Sequence, residues 1–128
     1  MYLNWTFRSD LPIYTQLVDR FVQGIASGAM APGARLSSVR DLATEAGVNP
    51  NTMQRALQEL ERQGLVYSQR TAGRYVTEDT ERISSVRKTV ARTELRRFLA
   101  AMNELGYDKD EIIKLFSEEE TTHADPGM

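Results

Sequence analysis

The fold is decided by residues 36–65, which read LSSVRDLATEAGVNPNTMQRALQELERQGL. The first part predicts a short helix that begins at Ser38, whose hydroxyl can cap the helix, and that ends at Gly47. A second helix begins near Pro50, which suits a first helical turn, and carries a buried stripe at helical spacing: Met53, Ala56, Leu57 and Leu60. Two helices joined by so short a turn predict a helix-turn-helix.

The side of the second helix that faces away from this stripe is polar. It begins with Asn49 and continues with amides, a hydroxyl and an arginine: Asn51, Thr52, Gln54, Arg55 and Gln58. Such groups bond to base edges in the major groove of DNA, although a polar helix face can also be merely solvated. We expect the N-terminal half of helix 50–63 to enter the groove. The candidates for base contacts are Asn49, Asn51, Thr52, Gln54 and Arg55.

A hairpin follows the two helices. Residues 65–69 and 74–77 have strand composition, and a turn at residues 70–73 separates them, so the whole predicts a winged helix. The wing carries Arg70 and Arg74 as candidate DNA contacts, and Gly73 would let the backbone approach a phosphate or the minor groove. The alternative is that these arginines only keep the hairpin soluble. Ser38 and Arg40 lie at the start of the helix that crosses the DNA backbone in such domains. We expect Arg40 to contact phosphate, the alternative being an ion pair with Asp41 or Glu45.

The stretch from Pro12 to Val76 resembles the DNA-binding domain of the GntR family of bacterial transcription regulators. The Asn-Pro-Asn-Thr sequence at residues 49–52 and the short C-terminal part resemble the YtrA subfamily. The residues that carry the family resemblance are Pro12-Ile13-Tyr14, Gln16-Leu17, Gly28, Pro32-Gly33, Leu36, Ser38, Arg40, Leu42-Ala43, Gly47-Val48, Thr52, Ala56-Leu57, Leu60-Glu61, Gly64, Gly73 and Val76. The resemblance implies C-terminal helices that hold a dimer, and it leaves open an effector bound there.

The remaining segments complete a fold that is mainly α with a small β wing. Residues 1–11 read as extended, with Trp5 and Phe7 alternating with polar residues, and residues 12–27 read as an amphipathic helix. A turn at residues 28–33 precedes a short edge strand near Arg35-Leu36. The winged helix-turn-helix domain is thus expected over residues 1–77, followed by a helical dimerisation module over residues 78–128.

The C-terminal module reads as two helices. The first spans about residues 79–105 and stops at Gly106. Asp108 and Glu111 form a capping-box pattern for the second, and the tail is expected to fray from Glu118. Two helices of this size have little to bury against alone, so their apolar residues predict a subunit interface, although they could pack only on the winged helix. The expected interface comprises Leu95, Phe98, Met102, Leu105, Ile112, Leu115 and Phe116.

Composition and charge limit the other possibilities. No apolar run approaches the ~20 residues of a membrane span, no signal peptide opens the chain and there is no cysteine, so we expect a cytoplasmic protein. The net charge is −2, which is not typical of DNA-binding proteins. Residues 1–76 nevertheless carry eight arginines against six acidic residues, and every base before Lys88 is arginine.

No pattern indicates an enzyme. The chain has no glycine-rich phosphate loop and no Ser-His-Asp set, and its one histidine, His123, lies in a polar tail. A metal site needs several ligands, so we expect no metal and no cofactor. The hypothesis is a repressor that sits as a homodimer on an inverted repeat of double-stranded DNA and blocks polymerase. The alternative is a winged-helix protein–protein interaction module without sequence-specific DNA binding.

Overall fold

The computed structural model of the protein describes residue 3 and residues 5–123, without the side chains of residues 121–123. It is mainly helical with one small antiparallel sheet, as the sequence predicted. The elements are α1 (Ile13–Ser27), α2 (Val39–Ala46), α3 (Pro50–Arg62), β1 (Val66–Gln69), β2 (Gly73–Val76), α4 (Thr80–Glu104) and α5 (Lys109–His123). The chain divides into two compact units, one ending at Val90 and the other beginning at Ala91.

The first unit is a winged helix. Helix α3 packs against α1 and α2, and its buried stripe joins Leu17, Phe21 and Leu42 in one core. Strands β1 and β2 pair from Val66 opposite Val76 to Gln69 opposite Gly73. The edge strand expected near Arg35 is short: Arg35 forms a bridge with Tyr75, flanked by hydrogen bonds from the Leu36 N–H to the Arg74 carbonyl (2.9 Å) and from the Val76 N–H to the Ala34 carbonyl (2.8 Å). It stays short because Pro32-Gly33 begins the segment with a turn and Val39 already belongs to α2.

Local capping explains where the helices begin and end. The Ser38 hydroxyl accepts a hydrogen bond from the backbone N–H of Asp41 (3.1 Å), and the Asn49 side chain accepts one from that of Asn51 (2.7 Å). Each side chain satisfies an N–H that has no partner within its helix. At the other end of α3, Gly64 has φ +76°, and the next N–H bonds back to the Leu60 carbonyl (3.0 Å). The helix starts predicted at Ser38 and near Pro50 and the helix end predicted at Gly47 are therefore confirmed.

The segment before α1 lies against the core. Trp5 and Phe7 are half-buried, and the Trp5 ring meets Phe21 edge-on with centroids 5.7 Å apart. The Trp5 indole N–H donates to a carboxylate oxygen of Glu45 on α2 (3.3 Å). The expected alternation of apolar and polar residues is confirmed here, while residues 1, 2 and 4 lie outside the described part.

The first part of α4 belongs to the winged helix by packing, because Ile83 and Val86 lie against its core. The functional boundary expected at residue 77 stays a prediction. In the second unit the predicted capping box forms: the Glu111 N–H donates to the Asp108 carboxylate (2.9 Å), and the Asp108 N–H donates to that of Glu111 (3.1 Å).

The prediction of a tail frayed from Glu118 is wrong, because α5 continues to His123. Glutamates are good helix formers, and no glycine or proline occurs between Gly106 and Pro126 to end the helix earlier. Residues 124–128 lie outside the described part.

Candidate nucleic-acid interface

Helix α3 presents a polar surface because its apolar stripe is buried. Met53, Ala56, Leu57 and Leu60 are each at most 1% exposed. The opposite side carries residues one helical turn apart that are all exposed, and we call them the outer face of α3: Asn51, Arg55, Gln58 and Arg62. The fold therefore turns amide and guanidinium groups outward along a helix held from behind by α1 and α2.

The residues predicted to contact bases lie at different depths around this face. Asn51 and Arg55 are on it, whereas Thr52 and Gln54 are half-buried at its sides. The Asn49 oxygen is taken by the helix cap, which leaves the two N–H donors of its amide for a ligand. The structure thus gathers all five at the N-terminal half of α3, with Asn51 and Arg55 the most accessible.

Arg40 is exposed at the start of α2. The ion pair considered with Asp41 or Glu45 is not formed in the part of the chain that the structure describes, and Glu45 bonds Trp5 instead. The Ser38 hydroxyl caps the same helix and fixes the helix start that carries Arg40. A cation at this position is available to a phosphate.

The tip of the wing holds a second group of cations. Arg70 is exposed in the turn, and Gly73 adopts φ +92°, a conformation that favours glycine. A Cβ at Gly73 would lie 3.5 Å from Nε of Arg35, so this guanidinium lies beside the wing. Sequence reasoning missed Arg35 because long-range pairing brings it there: the Leu36 N–H donates to the Arg74 carbonyl (2.9 Å), and the Val76 N–H donates to the Ala34 carbonyl (2.8 Å).

Arg74 occupies a different environment from Arg70. Its Nε donates to Glu61 Oε1 at 2.9 Å, the Ser68 hydroxyl donates to the same oxygen, and the Arg74 side chain is only 19% exposed. Burial raises the pKa of Glu61, but these two hydrogen bonds and the charge of Arg74 outweigh it, so the pKa is lowered. Glu61 therefore stays ionised and ties the wing to the end of α3.

Intramolecular pairing leaves a subset of the arginines available. Arg62 donates to both carboxylate oxygens of Glu59 at 2.8 and 2.6 Å. The hydrogen bonds from Arg62 and Gln63, with the charge of Arg62, lower the pKa of Glu59 to about 2. Among the described residues up to Thr77, four arginines form no ion pair and donate no side-chain hydrogen bond: Arg35, Arg40, Arg55 and Arg70. These unpaired cations, rather than the net charge of −2, set the charge of the candidate interface.

The second unit carries the residues predicted as a subunit interface. We call them the C-terminal apolar face: Leu95, Phe98, Met102, Leu105, Ile112, Leu115 and Phe116. Leu95, Phe98, Leu105 and Phe116 are 54%, 47%, 72% and 64% exposed, and Ile112 is buried. A cavity of about 420 Å³ lies within this unit, and its lining is Leu95, Phe98, Leu99, Asn103, Lys109, Ile112, Ile113 and Phe116.

The cavity brings together four residues of the C-terminal apolar face and adds two apolar residues that were not predicted from the sequence. Leu99 lies one turn after Leu95, and Ile113 follows Ile112. The i, i+4 spacing of Leu95 and Leu99 is a signal that could have identified Leu99. Met102, Leu105 and Leu115 do not line the cavity.

Other kinds of site find little support in the part of the chain that the structure describes. There, no group of three or more potential metal ligands occurs, and the side chain of His123 lies outside that part. No helix within residues 5–123 is both long and apolar enough to cross a bilayer.

Comparison with known proteins agrees with this geometry. The model of the family described as "Bacterial regulatory proteins, gntR family" matches residues 13–76. The uncharacterized HTH-type transcriptional regulator YhcF of Bacillus subtilis is 37% identical, over 88% of this chain and 95% of the relative. The HTH-type transcriptional repressor YtrA of the same species is 32% identical over 82% of each chain.

Solved structures extend the likeness to both units. A GntR family transcriptional regulator from Listeria monocytogenes has a TM-score of 0.81 and 38% identity, covering 88% of this chain and 98% of that one. The DNA-binding domain of AraR, solved in complex with its operator ORX1, has a TM-score of 0.54 and 27% identity, covering 60% and 99%. The chain therefore belongs to the GntR family of bacterial regulatory proteins and is a DNA-binding transcription regulator.

Proposed function

We propose that this regulator is a cytoplasmic repressor that binds an inverted-repeat operator as a homodimer and blocks access of polymerase to the promoter. The proposal rests on the outer face of α3, where exposed amides and the unpaired guanidinium of Arg55 are flanked by unpaired arginines on α2 and the wing. The name of the relative YtrA supports repression. The DNA-bound relative AraR favours this role over a protein–protein interaction module.

The contacts divide into two kinds. Asn49, Asn51, Thr52, Gln54 and Arg55 read base edges, because amides match adenine and arginine matches guanine. Arg40 and Arg70 hold phosphates, while Ser38 and Gly73 shape the backbone around them. Phosphate contacts fix the register of a protein on the duplex but carry no sequence information. Arg74 is held by Glu61, so its contribution to binding is the position of the wing.

The C-terminal apolar face forms the dimer in this proposal. Its exposed leucine and phenylalanine side chains remain in water in a single chain, and covering them with the same face of a second copy removes that surface. A symmetric dimer then presents two α3 helices to two half-sites. In this dimer, side chains of the partner subunit fill the cavity. An effector that bound in the cavity would therefore compete with dimerisation.

The first test is binding to the DNA upstream of the protein's own gene. Fluorescence anisotropy with this duplex and with a shuffled duplex of equal composition should show tighter binding to the upstream sequence. The logarithm of the binding constant should fall with the logarithm of salt concentration, by roughly 0.9 per phosphate contact. Equal affinity for both duplexes, or binding insensitive to salt, would contradict the proposal.

The second test separates dimerisation from DNA contact with a matched pair of variants. Phe98→Glu places a charge in the C-terminal apolar face, whereas Ala100→Glu places the same charge on an exposed position around the other side of α4. Phe98→Glu should yield a monomer in sedimentation that loses tight binding to the full repeat and keeps weak half-site binding. Ala100→Glu should remain a dimer, and equal behaviour of the two would place the interface elsewhere.

A further inference from the structure

The two arginines on α3 are held in different ways. The guanidinium of Arg62 is occupied by the carboxylate of Glu59. Arg55 makes no hydrogen bond or ion pair among the described residues. Its guanidinium carbon lies instead 4.6 Å from the ring centroid of Tyr14. An aromatic ring therefore supports the arginine that the proposed function places at base edges.

Tyr14 lies in the first turn of α1, outside the helix-turn-helix. It is half-buried against the core, and the packing of α1 on α3 brings it to Arg55. Its position is therefore fixed by the fold rather than by Arg55. A ring anchored in this way restricts the long arginine side chain, which would otherwise lose its rotamer freedom only on binding.

The chemistry of the support decides what Arg55 can still do. A cation over an aromatic ring is attracted to the face of the ring and needs no N–H donor. The N–H groups of a guanidinium lie in its plane, so stacking leaves them for a ligand, whereas a carboxylate takes two of them. Arg62 illustrates the second case, with Nε and Nη2 both bound to Glu59.

We propose that Tyr14 is a positioning residue that orients Arg55 for bidentate recognition of a guanine in the major groove. Guanine presents O6 and N7 there, and the arginine fork matches this pair of acceptors. The inference rests on the proposed function, which puts Arg55 at the base edges. It adds a residue outside the helix-turn-helix to the determinants of operator choice.

Removal of the Tyr14 ring should lower operator affinity modestly at each half-site, and the two losses multiply in the dimer. A solvent-exposed cation–π contact corresponds to about a 2- to 5-fold change in affinity per half-site. On an inverted repeat with two half-sites the loss should be about 4- to 25-fold. Affinity for shuffled DNA should change little, because phosphate contacts do not depend on Arg55 reading a base.

The test uses the full chain and a duplex selected by the wild-type protein from random DNA. Anisotropy is measured for Tyr14→Phe, Tyr14→Leu, Arg55→Ala and the double variant Tyr14→Leu/Arg55→Ala, on the selected and the shuffled duplex. Tyr14→Phe keeps the ring and should bind within about twofold of wild type. Tyr14→Leu should lose affinity for the selected duplex alone, and it should cost nothing further when Arg55 is already alanine.

A second readout does not depend on DNA. NMR relaxation of the guanidinium Nε–H should show Arg55 more ordered than Arg40, which is exposed and unstacked. This measurement needs only the wild-type chain, so it tests whether Arg55 is restrained even when Tyr14→Leu fails to fold. A duplex with 7-deazaguanine at the contacted guanine, which lacks N7, should weaken wild type but not Arg55→Ala.

The outcomes separate this inference from the proposed function. If Arg55→Ala binds the selected duplex as wild type does, the assignment of Arg55 to base edges fails, and the inference fails with it. If Arg55→Ala weakens binding but Tyr14→Leu does not, only the inference is overturned. The same holds if Tyr14→Phe is as weak as Tyr14→Leu, if Tyr14→Leu still costs affinity in the Arg55→Ala background, or if Arg55 is as mobile as Arg40.

Discussion

Phe98→Ala gives the most direct measure of the energy held in the C-terminal apolar face. Complete burial of a phenylalanine side chain is worth about 1.5–3 kcal/mol. Phe98 is 47% exposed in one chain, so close to half of this, about 1 kcal/mol per subunit, is left to gain in a dimer. A symmetric dimer contains two copies, so the substitution should cost about 2 kcal/mol and raise the dimer dissociation constant about 30-fold.

Sedimentation equilibrium over a range of protein concentrations measures that constant. Leu11→Ala is a suitable control, because Leu11 is similarly exposed (43%) but lies in the first unit. It should leave the constant unchanged. A fragment of residues 1–90 keeps Ile83 and Val86 against the core and should be monomeric. A stable dimer of this fragment, or a Phe98→Ala constant within twofold of wild type, would refute the assignment of the interface.

Three further predictions concern the winged helix. Arg40→Ala should weaken binding to operator and random DNA alike and reduce the salt dependence of binding by about 1 per subunit. Asn51→Ala should instead cost about 1–3 kcal/mol of binding free energy on the operator alone. Binding titrations at several salt concentrations compare the two variants. Glu61→Gln should lower stability at neutral pH and flatten its acid dependence in thermal melts. The folded pKa of Glu61 is lowered, so its contribution is present above the unfolded pKa and is lost as pH falls through the folded one. Leu57→Ala, at a site 1% exposed, should cost about 2–5 kcal/mol in denaturant unfolding; a smaller loss would contradict its place in the core.

The elements of this fold could be predicted from the sequence because local patterns encode them. The caps at Ser38 and Asn49 and the box formed by Asp108 and Glu111 involve residues at most three positions apart. The apolar stripe of α3 needs only the period of one helix. The prediction failed at the C-terminus because it relied on the acidic composition of the tail, whereas the helix propensity of glutamate and the lack of a breaker before Pro126 continue α5 to His123.

The contacts that determine which arginines are paired and which are available could not be predicted in the same way. Arg55 meets Tyr14 only because α1 packs on α3, and Arg35 reaches the wing because its segment pairs with β2. Arg74 was predicted beside Arg70 as a DNA contact, and sequence gives no sign that Glu61 binds it. Each of these contacts joins residues far apart in the chain, so it depends on tertiary packing rather than on propensity.

The two hydrogen bonds that Glu61 accepts from Ser68 and Arg74 have a consequence for the DNA itself. Because they join the wing to α3, the distance between the side chains that face the bases and those that face the backbone is fixed in the protein. A duplex that meets both must then adapt its groove width and bend to that distance. The energy of this deformation depends on base steps that no side chain touches. Operator sequences should therefore be constrained at uncontacted base pairs, and loosening the wing should relax that constraint.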